Sequence, residues 1–490
     1  MNDKHKYHDD RYSGAVYSGA VYSDETPIAA FATIPGSSAL TLIRCSGKGA
    51  IEAVSSVFAP DKLKVASANS VVHGWIVKAD EKIDEVLVSV FRAPKSYTGE
   101  DSLDICCHGG ASAGKAVMEA LKSAGFRGAL PGEFTFRAFV NGKLDLTKAE
   151  SVIELVSAKT DTSRRHAVSR LSGSLQTEIE EIKKTLVQVL SGAEIYLDYS
   201  EDEVGADIEE DEGKLPYPDV ALETLERLKK LSDSWRIERV YQEGVTVVIA
   251  GCPNAGKSSL FNALLKEDRS IVTEIPGTTR DWIEAWVSIE GIPVRLVDTA
   301  GLRNSAETVE KIGVDRSRKL LQEADIVLYL IDGAQGITEE DQAFIDGGDG
   351  SGGAGNSRLL VWNKADIAPQ PAMSPVPNQN FISVSAKTGE GLARLHAAIS
   401  SAIQSQQTTP QSALQDAPIT AAVGTERQKK LVDAAIAALE EALALARRDE
   451  PLDIIAPLLR DAVNSLGEIT GEVSTADILE EMFSRFCVGK

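Results

Sequence analysis

The sequence predicts a multidomain chain: an N-terminal α+β module, an α-helical domain built from two flanking segments, and a doubly wound α/β domain inserted between those segments. Three observations carry this prediction. Short apolar runs split by turn residues fill 28–147, leucines recur at helical spacing on both sides of the chain's centre, and strand-like apolar runs alternate with helices across 244–405. The length of 490 residues exceeds what one hydrophobic core organises, so several domains are expected.

Residues 1–27 repeat YSGAV, close on another YS, and are too polar and glycine-rich to bury a core, so they read as a disordered tail without assigned function. From 28 to 147, runs such as LTLIRCSG, SVVHGWIV and EVLVSVF are separated by turns like APKSYTGED, the pattern of a compact α+β module. Residues 148–243 switch to helical spacing through Leu222, Leu225, Leu228, Leu231 and Trp235, interrupted by SEDEVGADIEEDEG, which reads as a solvated loop. Between 244 and 405, VTVVIAG, VRLVDTAG, IVLYLIDG, RLLVWNKAD and FISVSAK alternate with helices and predict a parallel sheet covered on both faces. The run DGGDGSGGAGNS reads as a flexible surface insertion. In 406–490, after a polar linker, helical periodicity returns over 425–447, 452–466 and STADILEEMFSRF, which opens with a capping-box pattern, Ser474 with Asp477. Insertion of one domain into another is tolerated where the host's termini lie close together, which favours a single helical domain made from both flanks.

Composition narrows the function classes. Hydrophobic residues at 43% and charged residues at 25% are ordinary globular values, and no run of eighteen apolar residues exists to span a bilayer. The opening residues lack the apolar core of a secretory signal, so no membrane association and a cytoplasmic location are expected. Cys45, Cys106, Cys107, Cys252 and Cys487 show no CxxC spacing and no disulfide framework, so reduced thiols are expected. A formal net charge of −22 argues against nucleic-acid binding by bulk electrostatics, and any RNA contact must be local or shared with a partner.

Gly251-xxxx-Gly256-Lys257-Ser258 is a P-loop set between a strand and a helix. Such a loop, here including Asn254, Ala255 and Ser259, cradles phosphates on backbone N–H groups while Lys257 reaches the outer oxygens and Ser258 holds magnesium. Four further segments follow in the order that a Ras-like GTP-binding domain needs. GTTRD supplies Gly277, Thr278 and, as a switch ligand to magnesium, Thr279. DTAG supplies Asp298 for the metal shell, Thr299, Ala300, and the Gly301 amide for the γ-phosphate. NKAD supplies Asn363, Lys364 and the Asp366 carboxylate, an acceptor for guanine N1 and N2 that adenine cannot match, and SAK (Ser385, Ala386, Lys387) closes over the base.

Leu302 stands where Ras-like proteins carry the glutamine that orients the attacking water. Some other group must position that water and offset the transition-state charge. Asn254 either caps the loop or ligates a monovalent cation beside the phosphates, and spacing alone does not choose between the two.

The order of an N-terminal module with SYTGED, HGG and LPGEFTFRAFVNGKLDLTKAE, a GTPase domain between helical flanks, and a terminal FCVGK resembles the tRNA modification GTPase family MnmE, also called TrmE, from about residue 28 to 490. The resemblance implies a potassium-stimulated GTPase that works as a homodimer, with Asn254, Thr273, Ile275 and Thr278 holding potassium and Glu310 orienting water. Glu274 and Pro276 complete the implied GTP-contacting segment. It further implies a folate-binding-like, dimerising N-terminal module in which Arg44, Glu100, Lys143 and, from the tail, Lys490 hold a reduced folate, a one-carbon tetrahydrofolate. Together with an FAD-dependent partner, MnmG (GidA), in a heterotetramer, such proteins add an aminomethyl or carboxymethylaminomethyl group to carbon five of the wobble uridine of certain tRNAs. Ser37, Ser38, Ala39 and Thr41 depart from the family's glycine-rich opening, and Cys252 replaces a commonly basic residue with its side chain expected to face away from the phosphates. Cys487 is either a reactive thiol or a small core residue, and neighbouring Phe483 and Phe486 favour burial.

A regulatory GTPase switch in ribosome or RNA assembly, without modification chemistry, is the rival reading. It usually needs a basic RNA-binding appendage, and no Lys/Arg-rich C-terminal module is evident.

Overall fold

The computed structural model describes Tyr22 and residues 24–34, 36–79, 81–198, 215–267, 283–298, 320–346, 357–369, 380–406, 421–472 and 476–490. In chain order the first elements are β1 (Ile28–Phe31), β2 (Leu40–Ser46), α1 (Ala50–Ser55), β3 (Phe58–Ala59), β4 (Ser70–Lys78), β5 (Glu81–Phe91), β6 (Ser102–His108), α2 (Ala111–Ser123), β7 (Arg127–Gly128), α3 (Glu133–Val140), α4 (Leu146–Ser157), α5 (Asp161–Leu171), α6 (Ser174–Asp198) and α7 (Pro218–Glu243). They are followed by β8 (Val245–Gly251), α8 (Lys257–Glu267), β9 (Ile283–Ile289), β10 (Ile292–Asp298), β11 (Ile326–Asp332), α9 (Glu339–Ile345), β12 (Ser357–Asn363), β13 (Phe381–Ser383), α10 (Leu392–Gln406), α11 (Glu426–Ala446), α12 (Leu452–Thr470) and α13 (Ala476–Ser484). They group into two compact units, one of Met1–Ile153, Gln176–Leu228 and Lys430–Lys490, the other of Glu154–Leu175 and Lys229–Lys429.

The first unit contains a seven-stranded sheet in the order β3-β4-β5-β6-β2-β1-β7, antiparallel except where β7 runs parallel to β1. Period-two alternation along β2 buries Thr41, Ile43 and Cys45 and turns Arg44 to the opposite face. Ile43 and Cys45 join Val88, Leu103 and Ile105 in the core beneath α1 and α2. On the other face Ile28 and Ala30 are covered by Phe134 of α3, which brings α3 beside Arg44's strand. Helix α13 lies against α3: Phe483 meets Phe136 edge-on at 5.3 Å and Phe139 at 6.5 Å. Ion pairs of Arg227 with Glu178, Arg460 with Glu194 and Lys183 with Glu472 join the helices of this unit.

Of the expected tail, Tyr22 and residues 24–27 are described. Tyr22 donates to the Pro131 carbonyl at 3.0 Å and stacks on Phe136 at 4.8 Å, and Asp24 pairs with Arg127 at 2.9 Å. The Tyr22 ring is thus held on α3 and the Asp24 carboxylate on β7.

The second unit holds a six-stranded sheet in the order β13-β12-β11-β8-β10-β9. Leu260, Phe261 and Leu264 of α8 and Leu392, Leu395 and Ile399 of α10 pack on one face, while Phe344 and Ile345 of α9 cover the other. The five strands expected here, β8, β10, β11, β12 and β13, run parallel, and a further strand, β9, pairs antiparallel to β10 at one edge, with Ile289 opposite Ile292. Glu290 (φ 51°) and Gly291 (φ 83°) form the two-residue link, the left-handed pair that a tight hairpin favours. Among the described residues no helix is long and apolar enough to cross a membrane. The acidic stretch SEDEVGADIEEDEG, Ser474, and nearly all of the glycine-rich insertion and the polar linker lie outside the described residues.

Candidate functional site

The P-loop leaves β8 at Gly251, whose φ of 136° and position against the Leu330 carbonyl, 2.3 Å from where a Cβ would stand, admit only glycine. Asn254 follows with φ 63°. Gly256 (φ 94°) then passes so close to Asn363 Nδ2 that a Cβ would lie 2.3 Å from it. Helix α8 starts at Lys257 and aims its N-terminal amides, and the positive end of its dipole, at the loop.

Lys257 Nζ donates to the carbonyls of Gly251 at 3.0 Å and Cys252 at 2.9 Å, folding the ammonium back across the loop. Ser258 Oγ donates to Asp298 Oδ2 at 2.7 Å, so the hydroxyl and carboxylate expected around magnesium already touch. Both are hard oxygen donors of the kind magnesium takes. Asn363, 1% exposed, donates from Nδ2 to the Ala255 carbonyl at 2.7 Å and accepts at Oδ1 from the Ala386 amide at 3.2 Å. One buried side chain thus ties the phosphate loop to the base loop. Ser385 donates to Asp366 Oδ1 at 2.7 Å, which orients the exposed carboxylate and leaves its second oxygen as an acceptor. Lys364, at φ 63°, donates to Asp332 Oδ2 at 2.6 Å. Ser259 occupies the first turn of α8, and Lys387 is exposed beside Ala386.

Cys252 turns toward α9, where Sγ lies 3.2 Å from Asp341 Oδ1 and 3.4 Å from Glu340 Oε2. Burial, with these carboxylates, pushes its thiol pKa up, the opposite of an activated nucleophile. Thr273, Glu274, Ile275, Pro276, Gly277, Thr278, Thr279, Thr299, Ala300, Gly301, Leu302 and Glu310 lie outside the described residues.

A second cluster forms in the first unit. Arg44 Nε donates to Asp104 Oδ1 at 3.0 Å, and its Nη1 reaches the Gly489 carbonyl at 3.4 Å, next to Lys490. Val488 makes an antiparallel bridge with Pro131, and Gly489 (φ 97°) presses against the Phe31 carbonyl. Glu100 Oε2 accepts from Ser46 Oγ at 2.9 Å. The preceding residue, Gly99, packs against the Lys143 side chain, whose Nζ donates to the Pro94 carbonyl at 2.9 Å. Ser46, two residues from Arg44 on β2, links the Arg44 strand to the Glu100 loop.

Cys487 is exposed, which corrects the expectation of burial. Phe483 and Phe486 take the inward positions, α13 ends at Ser484, and the bridge at Val488 turns the intervening thiol outward. Three supporting residues escaped the sequence reading: Asp332, Asp104 and Arg137, the last of which donates to both oxygens of Glu100. Only the Glu133–Arg137 spacing, i to i+4 on one helix, announces itself in the sequence.

A strand-to-helix phosphate loop, a hydroxyl–carboxylate pair at its end and a buried asparagine bridging it to an aspartate-bearing base loop define a P-loop GTPase. Residues 146–487 match the MnmE helical domain and residues 27–143 match the GTP-binding protein TrmE N-terminus. The chain is 43% identical to the tRNA modification GTPase MnmE of Treponema denticola, over 95% of this chain and 98% of that protein. It is 41% identical to that of Carboxydothermus hydrogenoformans, over 95% and 100%. The chain belongs to the tRNA modification GTPase MnmE family. Among solved structures, the G domain of the T. maritima FeoB iron transporter is 27% identical over 33% of this chain and 99% of that one, with a TM-score of 0.25.

Proposed function

We propose that the protein is a potassium-stimulated GTPase that works as a homodimer and, in a heterotetramer with the FAD-dependent MnmG (GidA), modifies carbon five of the wobble uridine of certain tRNAs. The observation that carries this reading is the seat of the C-terminal tail: Val488 bridges to Pro131, and Gly489 accepts from Arg44, in a chain that also bears a guanine-nucleotide loop set. A simple switch has no use for that closure, whereas a pocket for an anionic cofactor gains a cation from Lys490.

In the nucleotide site, the P-loop amides and Lys257 hold the phosphates, and Ser258 and Thr279 hold magnesium with Asp298 behind them. Asn254, Thr273, Ile275 and Thr278 hold potassium, where its charge offsets that developing on the phosphates. Glu310 orients the hydrolytic water, the task left open by Leu302, and the Gly301 amide senses the γ-phosphate. Asp366 selects guanine, with Ser385, Ala386 and Lys387 closing over the base. In the first unit, Arg44, Lys143 and Lys490 bind the carboxylates of a reduced folate, and Glu100 accepts from its pterin edge. The folate, when bound, supplies the one-carbon unit, while flavin and reduced nicotinamide belong to the partner.

Deleting Phe486–Lys490 and assaying both activities tests the reading. GTP turnover is expected to stay near wild type and to remain faster in potassium than in sodium at equal ionic strength, with the salt preference abolished by Asn254→Ala. Modification of tRNA in a reconstituted assay with the flavin partner is expected to vanish. Full modification by the truncated protein, or equal turnover in both salts, would overturn the corresponding part.

A further inference from the structure

A carboxylate set among cations tends to collapse onto them, neutralising the groups meant for a ligand. Glu100 shares its proposed pocket with Arg44, Lys143 and Lys490, yet its hydrogen bonds run elsewhere. Arg137 Nη1 donates to Glu100 Oε1 at 3.3 Å and Oε2 at 3.2 Å, and Ser46 supplies a further donor.

Arg137 is itself 6% exposed and held on every side. Its Nη2 donates to Glu133 Oε1 at 2.9 Å, to the Thr26 carbonyl at 3.0 Å and to the Asp24 carbonyl at 3.1 Å. Glu133, 0% exposed, accepts further bonds from Arg127 Nη1 at 2.8 Å, Arg127 Nη2 at 2.5 Å and the Leu130 amide at 2.9 Å. Arg127, Glu133, Arg137 and Glu100 therefore form a ladder of alternating charge that ends at the pocket carboxylate. Helix α3 supplies two rungs on one face because Glu133 and Arg137 are four residues apart. Such a ladder is a poor way to stabilise a fold, since buried ion pairs scarcely repay their desolvation when measured against apolar packing. What it does well is fix the direction of its last member.

We propose that Arg137 is a positioning residue of the folate pocket: it holds Glu100 away from the neighbouring cations and aimed at the pterin edge, while Glu133 and Arg127 lock Arg137 in place. The proposal rests on the folate reading given above. It also gives Asp24 and Thr26 a purpose, since their backbone carbonyls complete the coordination of the Arg137 guanidinium.

A double-mutant cycle on the full chain tests it, with 5-formyltetrahydrofolate as the probe and its Kd measured by calorimetry for wild type, Glu100→Gln, Arg137→Gln and the pair. Each single change is expected to weaken binding by about tenfold, the worth of a charge-assisted bond. The double variant is expected to bind no more weakly than Glu100→Gln alone, because Arg137 acts only through Glu100. Arg137→Lys, which keeps the charge and loses the fork, takes the place of Arg137→Gln if the latter does not unfold cooperatively on heating, and is expected to show the same non-additivity. Wild-type affinity in the Arg137 variants, or losses that multiply in the double variant, would overturn the positioning role while leaving the folate reading intact. Failure of the wild-type protein to bind the probe would overturn both.

Discussion

Gly489→Ala isolates the seating of the tail from everything else in the molecule. Gly489 sits at φ 97°, where an L side chain is strained by about 1 kcal/mol. Its new Cβ would lie 2.6 Å from the Phe31 carbonyl oxygen, a backbone atom of β1 that cannot rotate aside. Relieving such a contact costs about 1–3 kcal/mol more. Against this stand the Val488–Pro131 bridge, whose bond from the Gly132 amide to the Cys487 carbonyl is long at 3.5 Å, and the contact from Arg44 to the Gly489 carbonyl at 3.4 Å. Hydrogen bonds of this kind contribute about 0.5–1.5 kcal/mol each, the long ones least. The strain matches or exceeds what holds residues 487–490, so these residues are expected to leave their seat while β1 keeps its register. Phe486 stays, because it is buried against Phe483 at 5.3 Å. Hydrogen exchange read on the C-terminal peptide should show protection lost beyond Phe486 and retained through α13, with tRNA modification falling and GTP turnover unchanged. Undiminished protection of the tail and full modification would show that these contacts do not limit the seat.

Asp366→Asn keeps the contact from Ser385 but turns an acceptor into a donor toward the guanine edge, so relative affinity should shift from GTP toward xanthosine triphosphate by about 2–4 kcal/mol in a competition assay. An unchanged preference would refute the assignment. For Glu133, burial pushes the pKa up, but Arg127, the Leu130 amide and Arg137 outweigh it and hold the carboxyl below its ordinary value of 4.5. Its contribution to stability is therefore full above pH 4.5 and is lost as pH falls through the lower folded-state value. Glu133→Gln should lower stability at neutral pH and flatten its loss below that point in denaturant titrations; parallel curves for the two proteins would contradict the ladder.

The P-loop and the NKAD and SAK loops were legible because each needs particular residue types at fixed spacing, and the strands that present them are apolar runs. The antiparallel edge was legible in principle and was missed: IEAWVSI alternates, and the Glu-Gly pair before IPVRLVD is a hairpin signal, but the rule of parallel strands between helices overrode it. Cys487 misled for a different reason. Helical spacing from Leu479 to Phe486 predicts the inward phenylalanines correctly, yet it says nothing of where the helix stops, and the thiol lies just past that end. Asp104 and Asp332 were invisible because their meaning comes from partners brought close only by the fold, Arg44 across a strand pair and Lys364 across another.

The bridge between Pro131 and Val488 carries a consequence for synthesis. A ribosome releases the N-terminal sheet early, and that sheet can fold while the rest is still being made. The pocket proposed above nevertheless lacks Lys490 until translation has run through the entire nucleotide-binding fold and delivered residues 487–490 back to Pro131. A chain that stops anywhere in between carries the residues of the β-sheet and lacks those that bridge to Pro131. On the folate reading proposed above, such a copy is expected to lack the one-carbon chemistry, which ties that chemistry to residues 487–490 and so to a nucleotide-binding fold already made.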